Sequence, residues 1–123
     1  MDTNFSSADL AYLGDAVIEV MVREHLVKSP HSKDEHLSDK ALDFVTASSQ
    51  SEAFGRIENE LTEEESDVYH RARNNFRTSN VPKSATPMQY RRATGFEALF
   101  GYLWLTGRKE RLDELFGKAY GEK

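Results

Sequence analysis

Two acidic residues stand in strongly apolar surroundings, and their carboxylates are the groups best suited to do chemistry. Asp15 lies within the run LAYLGDAVIEV, and Glu97 lies within GFEALFGYLWL. An unpaired carboxylate in an apolar environment costs free energy, so it usually loses its charge or acquires a partner. Each acid is therefore either paired with an arginine or a backbone donor, or it belongs to a site that requires carboxylates.

Small residues flank both acids on the helical faces that these runs predict. Ala11 and Gly14 precede Asp15, and Gly101 follows Glu97 by four residues. Because residues three and four apart share a helix face, small neighbours leave space beside each carboxylate. A divalent cation that holds a phosphate fits such a space, since hard cations take carboxylate oxygens and magnesium keeps several waters.

The basic residues are concentrated in one part of an acidic chain. The net charge is −5, yet residues 68–96 contain no Asp or Glu. The basic residues of this segment are Arg71, Arg73, Arg77, Lys83, Arg91 and Arg92. Because salt screens charges beyond about 10 Å, a local basic segment can bind a polyanion on an acidic protein. The segment indicates a nucleic-acid contact, with a solvated basic face as the alternative.

Helix-start signals divide the chain into a series of predicted helices. The predicted starts are Ser6 or Ser7, Ser32 with Glu35, Thr46, Thr62 with Glu65, Thr86 with Pro87 and Gln89, and Arg108. No alternating strand pattern or internal repeat is present. The pattern therefore predicts an all-α protein in which residues 1–123 form one domain.

Composition excludes several classes of site. The chain has no cysteine, so disulfides and thiolate metal sites are absent, and His25, His31 and His36 lack the spacing of a metal cluster. No apolar run approaches the ~20 residues that span a bilayer, and the N-terminus is too polar for a secretory signal. We expect a cytoplasmic protein with no membrane contact.

Two long motifs resemble the ribonuclease III family. LAYLGDAVIEV resembles the signature helix of that family, and ATGFEALFGYLWLTG resembles its second acidic helix. ALDFVTASSQSEA and the stretch from RARNN onward are similar to the short bacterial branch, Mini-ribonuclease III. The resemblance covers residues 8–119. It implies a helical-bundle catalytic domain that forms a homodimer and lacks a double-stranded-RNA-binding domain.

The resemblance also implies an activity and a site. Asp15 and Glu97 match catalytic, magnesium-binding positions, whereas two further carboxylates of the full-length enzymes are replaced here by Ala11 and Thr94. The short branch keeps this reduced set. The implied activity is magnesium-dependent cleavage of double-stranded RNA in maturation of the large-subunit ribosomal RNA precursor, leaving a 5′-phosphate and a 3′-hydroxyl. The alternative is a catalytically inactive duplex-RNA-binding or dimerisation module on the same fold.

Two surfaces complete the prediction. The residues expected to bind RNA are Arg71, Arg73, Asn74, Arg77, Lys83 and Arg91. The first helix is apolar on most of its circumference, which indicates burial on more than one side. We expect Leu13, Val17 and Met21 to form the dimer interface, and a ribosomal protein that presents the RNA is a further candidate partner.

Overall fold

The computed structural model describes residues 5–75 and 85–121. These residues form six α-helices and one turn of 3-10 helix at Glu58–Glu60. The helices are α1 (Ser7–Lys28), α2 (Leu37–Val45), α3 (Ala47–Ile57), α4 (Glu63–Asn74), α5 (Pro87–Leu105) and α6 (Lys109–Ala119). No strand occurs within either described range, which confirms the all-α prediction. No helix in these ranges is both long enough and apolar enough to span a membrane.

Side-chain caps set the starts of α4 and α5 where the sequence predicts them. Thr62 Oγ1 accepts a hydrogen bond from the Glu65 N–H at 3.1 Å, and Glu65 Oε1 accepts one from the Thr62 N–H at 2.9 Å. Thr86 and Gln89 form the same reciprocal box, with Pro87 at the start of α5. Each box satisfies two backbone donors that a helix start otherwise leaves unpaired. Both predicted starts are confirmed.

The predicted helix start at Ser32 and Glu35 is wrong. The Ser32 N–H donates to Glu35 Oε1 at 3.0 Å, but the Glu35 N–H donates to the Ser32 backbone carbonyl instead of its hydroxyl. Only half of the capping box therefore forms, and this stretch makes a turn. Helix α2 begins later, at Leu37, which is partly buried against the core.

Helices α1 and α5 form the centre of the bundle. Helix α5 packs against α1, α3, α4 and α6, and α1 also contacts α2 and α4. Phe96, Phe100 and Tyr102 are fully buried, as expected for core aromatics. Trp104, in the last turn of α5, is 48% exposed, so the core ends before it.

Two glycines bring α1 and α5 into backbone contact. A Cβ atom at Gly14 would lie 1.7 Å from the carbonyl oxygen of Glu97, and one at Gly101 would lie 2.1 Å from the carbonyl oxygen of Leu10. No side chain can occupy such a distance, so both positions require glycine for packing. The contact places Asp15, which follows Gly14, beside Glu97.

The predicted dimer-interface residues lie mostly inside the core of the chain itself. Val17 is 5% exposed and Met21 is 8% exposed, and Leu13 is partly buried against the same core. The reason is that neighbouring helices of the same chain already cover this face of α1. Beyond Ala8 in its first turn, the apolar residues that α1 leaves exposed are Tyr12, Ala16, Val20 and Val27, which follow a helical repeat and form one stripe. We call this set the exposed α1 stripe.

A network of ion pairs ties α4 to α6 and to the end of α5. Glu65 is 2% exposed and accepts hydrogen bonds from Nε and Nη2 of Arg111, both at 2.8 Å. Glu64 pairs with Arg108 at 3.0 Å and accepts a hydrogen bond from the Tyr102 hydroxyl. Bidentate arginine–carboxylate pairs are among the stronger polar contacts in proteins. We call these five residues the α4–α6 network.

Candidate active site

A cleft of about 450 Å³ between α1, α4 and α5 contains both acids that the sequence singles out. Asp15 reaches it from α1 and Glu97 reaches it from α5. The other residues that line the cleft are Ser7, Ala8, Ala11, Tyr12, Ala72, Arg73, Asn75, Tyr90, Arg91 and Thr94. The fold therefore unites two acids that are far apart in the sequence.

Asp15 is close enough to Glu97 to affect the charge of the Glu97 carboxyl group. Asp15 is exposed and Glu97 is partly buried. Burial raises the pKa of Glu97 to about 8, and the neighbouring Asp15 contributes to the rise. At neutral pH and without a cation, Glu97 therefore holds its proton. Neither a lysine nor an arginine of the described ranges is among the causes of this shift, so no ion pair keeps Glu97 ionised there.

A third polar side chain of the site was not predicted from the sequence. Gln50, in the first turn of α3, is 1% exposed, and its amide lowers the pKa of Glu97. A signal for it exists in the sequence. Gln50 shares a helix face with Ala53, Phe54 and Ile57, all of which are buried, so a polar residue occupies a core position.

The positions of the two missing family carboxylates belong to the same cleft. Ala11 and Thr94 line it beside Asp15 and Glu97. Within the described ranges, no group of three or more His, Cys, Asp or Glu residues could hold a metal ion. A cation in this cleft would thus have two protein carboxylates, with water and phosphate oxygens as its other ligands.

The structure brings part of the predicted RNA-binding set to the cleft. Arg73 and Arg91 line it. Arg73 also lies over the Tyr69 ring at 5.9 Å, and its Nε donates to Oδ1 of Asn74 at 3.3 Å. Arg71 and Asn74 are exposed on α4 and do not line the cleft. The remaining two predicted residues, Arg77 and Lys83, lie outside the described residues.

Comparison with known proteins identifies the family of this chain. The Ribonuclease III domain family matches residues 8–108. The match covers most of the chain and includes both acidic helices. The chain therefore belongs to the ribonuclease III family of endoribonucleases.

Two relatives of this chain carry the name of one branch of the family, Mini-ribonuclease 3. A Mini-ribonuclease 3 of Symbiobacterium thermophilum is 44% identical over 110 residues, which is 89% of this chain and 84% of that protein. A Mini-ribonuclease 3 of Enterococcus faecalis is 39% identical over 117 residues, which is 92% of this chain and 89% of that protein. A crystal structure of a Fusobacterium nucleatum protein has a TM-score of 0.81 and 31% identity, and the match covers 91% of this chain and 88% of that one.

Proposed function

We propose that this chain is a magnesium-dependent endoribonuclease that cleaves double-stranded RNA, with a role in maturation of the large-subunit ribosomal RNA precursor. The observation that supports this most is the meeting of Asp15 and Glu97 in one cleft whose walls carry Arg73 and Arg91. Two adjacent carboxylates favour a cation, and arginines favour phosphate. The similarity to Mini-ribonuclease 3 proteins supports RNA as the polymer. The ribosomal RNA precursor is what the family resemblance of the sequence implies.

The proposed reaction is hydrolysis of a phosphodiester bond. A water oxygen forms a bond to phosphorus, and the bond from phosphorus to the 3′-oxygen breaks. The products are a 5′-phosphate and a 3′-hydroxyl. Asp15 and Glu97 would hold the magnesium ion, which supplies a more acidic water and positive charge at the phosphate.

The residues of the chain fit such an ion. Glu97 must release its proton for the cation to bind, and a cation offsets the repulsion from Asp15 that favours the protonated form. The glycine contact between α1 and α5 holds the two carboxylates together without a flexible loop. The protein's part is therefore to present two adjacent carboxylates at a fixed separation.

The same cleft suggests how RNA is held. Arg73 and Arg91 face the site, and Arg71 and Asn74 extend the polar surface along α4. Contacts of this kind bind phosphates in any sequence, which suits recognition of duplex RNA by the shape of its backbone. Arg77 and Lys83 stay predicted members of this surface.

The proposal includes a homodimer, in which two sites cut the two strands of one duplex. The exposed α1 stripe supports this, because Tyr12 is 86%, Val20 is 59% and Val27 is 62% exposed. Apolar side chains gathered on one exposed helix face mark a surface that another protein covers. A second copy is the simplest cover, since two-fold pairing is the commonest closed assembly. A ribosomal protein that presents the RNA stays a further prediction.

The test is incubation of the purified chain with a duplex RNA, with magnesium or with a chelator, followed by mapping of the new ends. We expect cuts in both strands only with magnesium, and 5′-phosphate and 3′-hydroxyl ends. Single-stranded RNA of the same sequence serves as the control. Duplex binding without cleavage at any magnesium concentration would instead identify an inactive binding module.

A further inference from the structure

Gln50 is a buried amide that interacts with the Glu97 side chain. It is 1% exposed, and it lies in the first turn of α3, where its N–H donates to the Thr46 carbonyl at 2.9 Å. The Thr46 hydroxyl caps the same turn by accepting from the Ser49 N–H at 3.2 Å. The backbone at Gln50 is therefore fixed by a capped helix. A residue held in this way can position another group accurately.

The amide of Gln50 is incompletely satisfied. Its Nε2 atom has no hydrogen-bond partner of normal geometry within residues 5–75 and 85–121. An unsatisfied buried amide donor costs free energy, so its retention in a core position needs an explanation. The amide interacts with Glu97, whose pKa it lowers while Asp15 raises it.

A hydrogen-bond donor beside Glu97 stabilises the charged form of its carboxyl group more than the neutral form. An amide N–H stabilises a carboxylate more than a carboxylic acid, because the ionised oxygens are stronger acceptors. Asp15 and Gln50 therefore act on Glu97 from different helices and in opposite directions.

We propose that Gln50 is a positioning residue of the site, whose buried and unpartnered Nε2 donates to the Glu97 carboxylate when a cation is bound and so orients that carboxylate. The inference rests on the proposed function, since it assigns α3 a role in the same cation site. Three helices then build the site: α1 and α5 supply carboxylates, and α3 supplies the group that orients one of them. Hydrogen bonds from such outer residues typically change metal affinity or activity by about 10- to 100-fold.

The test replaces Gln50 with leucine, which keeps the approximate size and removes the donor. Binding of Mn²⁺ alone to the RNA-free chain is followed by electron paramagnetic resonance, and cleavage of duplex RNA gives kcat and KM separately. Ser51→Ala is the matched control, because Ser51 is the adjacent buried polar residue on α3, at 8% exposed. Gln50→Met, a more flexible apolar side chain, is measured in parallel in case leucine disturbs packing.

We expect the Gln50 variants to bind Mn²⁺ about 10- to 100-fold more weakly and to lower kcat, with KM for RNA nearly unchanged. The melting temperature should stay equal or rise, because an apolar group replaces an unsatisfied amide. A purely structural role predicts the reverse, a lower melting temperature with normal Mn²⁺ binding, and that result overturns the inference. If the wild-type chain cleaves RNA and the Gln50 variants match it in Mn²⁺ binding and kcat, only the role of Gln50 fails. If the wild-type chain neither binds Mn²⁺ nor cleaves, the proposed function fails with it.

Discussion

The acids of the cleft and the acids of the α4–α6 network have opposite electrostatic environments. Burial alone would raise the pKa of Glu65, but Arg111 and the cap contact with Thr62 bring it below the ordinary value. Burial also raises the pKa of Glu97, and the neighbouring Asp15 adds to the rise instead of opposing it. Both glutamates lie in helices that pack in the same bundle. The difference shows that the role of a buried acid depends on whether the fold provides a counter-charge.

The two clusters therefore have different consequences for the folded state. The α4–α6 network stabilises the docking of α6, because removal of either partner leaves a charge that is poorly solvated. The carboxylate pair lowers the stability of the metal-free chain at neutral pH, because folding forces Glu97 to keep a proton that the unfolded chain releases. A chain retains such an arrangement most readily where it serves a function.

The strongest test of this comparison is removal of one charge from the cleft. Asp15→Asn and Glu97→Gln keep the side-chain volume and remove a cation-binding carboxylate. We expect each variant to lose at least ~100-fold in duplex cleavage, a few kcal/mol of transition-state stabilisation, while remaining folded. Single-turnover cleavage at low magnesium measures the loss. Glu19→Gln is the control, because Glu19 lies on α1 in an exposed ion pair with Arg23. Cutting near the wild-type rate by either cleft variant would remove the site assignment.

The matching change in the α4–α6 network should affect stability and spare chemistry. Glu65→Gln leaves Arg111 without its bidentate partner, and we expect the free energy of unfolding to fall by about 3 kcal/mol. The rate per folded molecule should be unchanged. Chemical denaturation measures the loss, with Asp113→Asn as the control, since the exposed Lys109–Asp113 pair contributes under about 1 kcal/mol. Equal losses of unfolding free energy in Glu65→Gln and Asp113→Asn would show that the buried Glu65–Arg111 pair stabilises the chain no more than an exposed pair does.

The pH dependence of stability sharpens the comparison. The unfolded chain ionises Glu97 near its ordinary pKa of 4.5, whereas the folded chain keeps the proton to about pH 8. Stability should therefore fall as the pH rises from about 4.5 to 8, and Glu97→Gln should remove this fall. Allowing for solvent screening, we expect the variant to exceed the metal-free wild type by about 1 to 3 kcal/mol at pH 8 and to match it near pH 4.5. Thermal unfolding in a chelator at several pH values provides the measurement. A gap between the two proteins that does not change with pH would contradict the raised pKa.

The smallest expected effect concerns three arginines of the basic segment at residues 68–96. Replacement of Arg71, Arg73 and Arg77 by alanine should weaken duplex binding and reduce the slope of log K against log salt by about one for each lost phosphate contact. Binding is measured in the Asp15→Asn background, where the RNA stays intact. Arg23→Ala is the control, since Arg23 pairs with Glu19 on the exposed surface of α1. An unchanged salt slope in the triple variant would show that these arginines form only a solvated face.

The helix starts could be predicted because their signals are local. The boxes at Thr62 and Thr86 need only residues within three positions, and both form as predicted. The Ser32 signal has the same spacing but fails, because its hydroxyl is not the group that accepts the Glu35 N–H. Spacing alone does not determine which oxygen accepts.

The site could be predicted only in part because its assembly depends on packing. Asp15 and Glu97 carry a strong sequence signal, since acids are unusual within apolar helices. The signal for Gln50 is weaker, because TASSQSE indicates a cap, and the face that Gln50 shares with Ala53 and Ile57 is identified as a core face only by the packing of α3 on α5. Likewise, the apolar circumference of α1 indicates burial on several sides but not which sides are covered by the same chain. Val17 and Met21 are covered in this way.

Because Gly14 contacts the Glu97 carbonyl, selection for folding and selection for cleavage act on different residues of this site. In a mutant library sorted only for folding, Gly14 and Gly101 should remain glycine, because any side chain there collides with backbone. Asp15 and Glu97 should drift freely in that library, since the folded state gains nothing from their charges. Sorting for cleavage should restore both acids on an unchanged scaffold. The architecture that spaces the two carboxylates thus persists in sequences that have lost them, and the activity is recoverable by two substitutions.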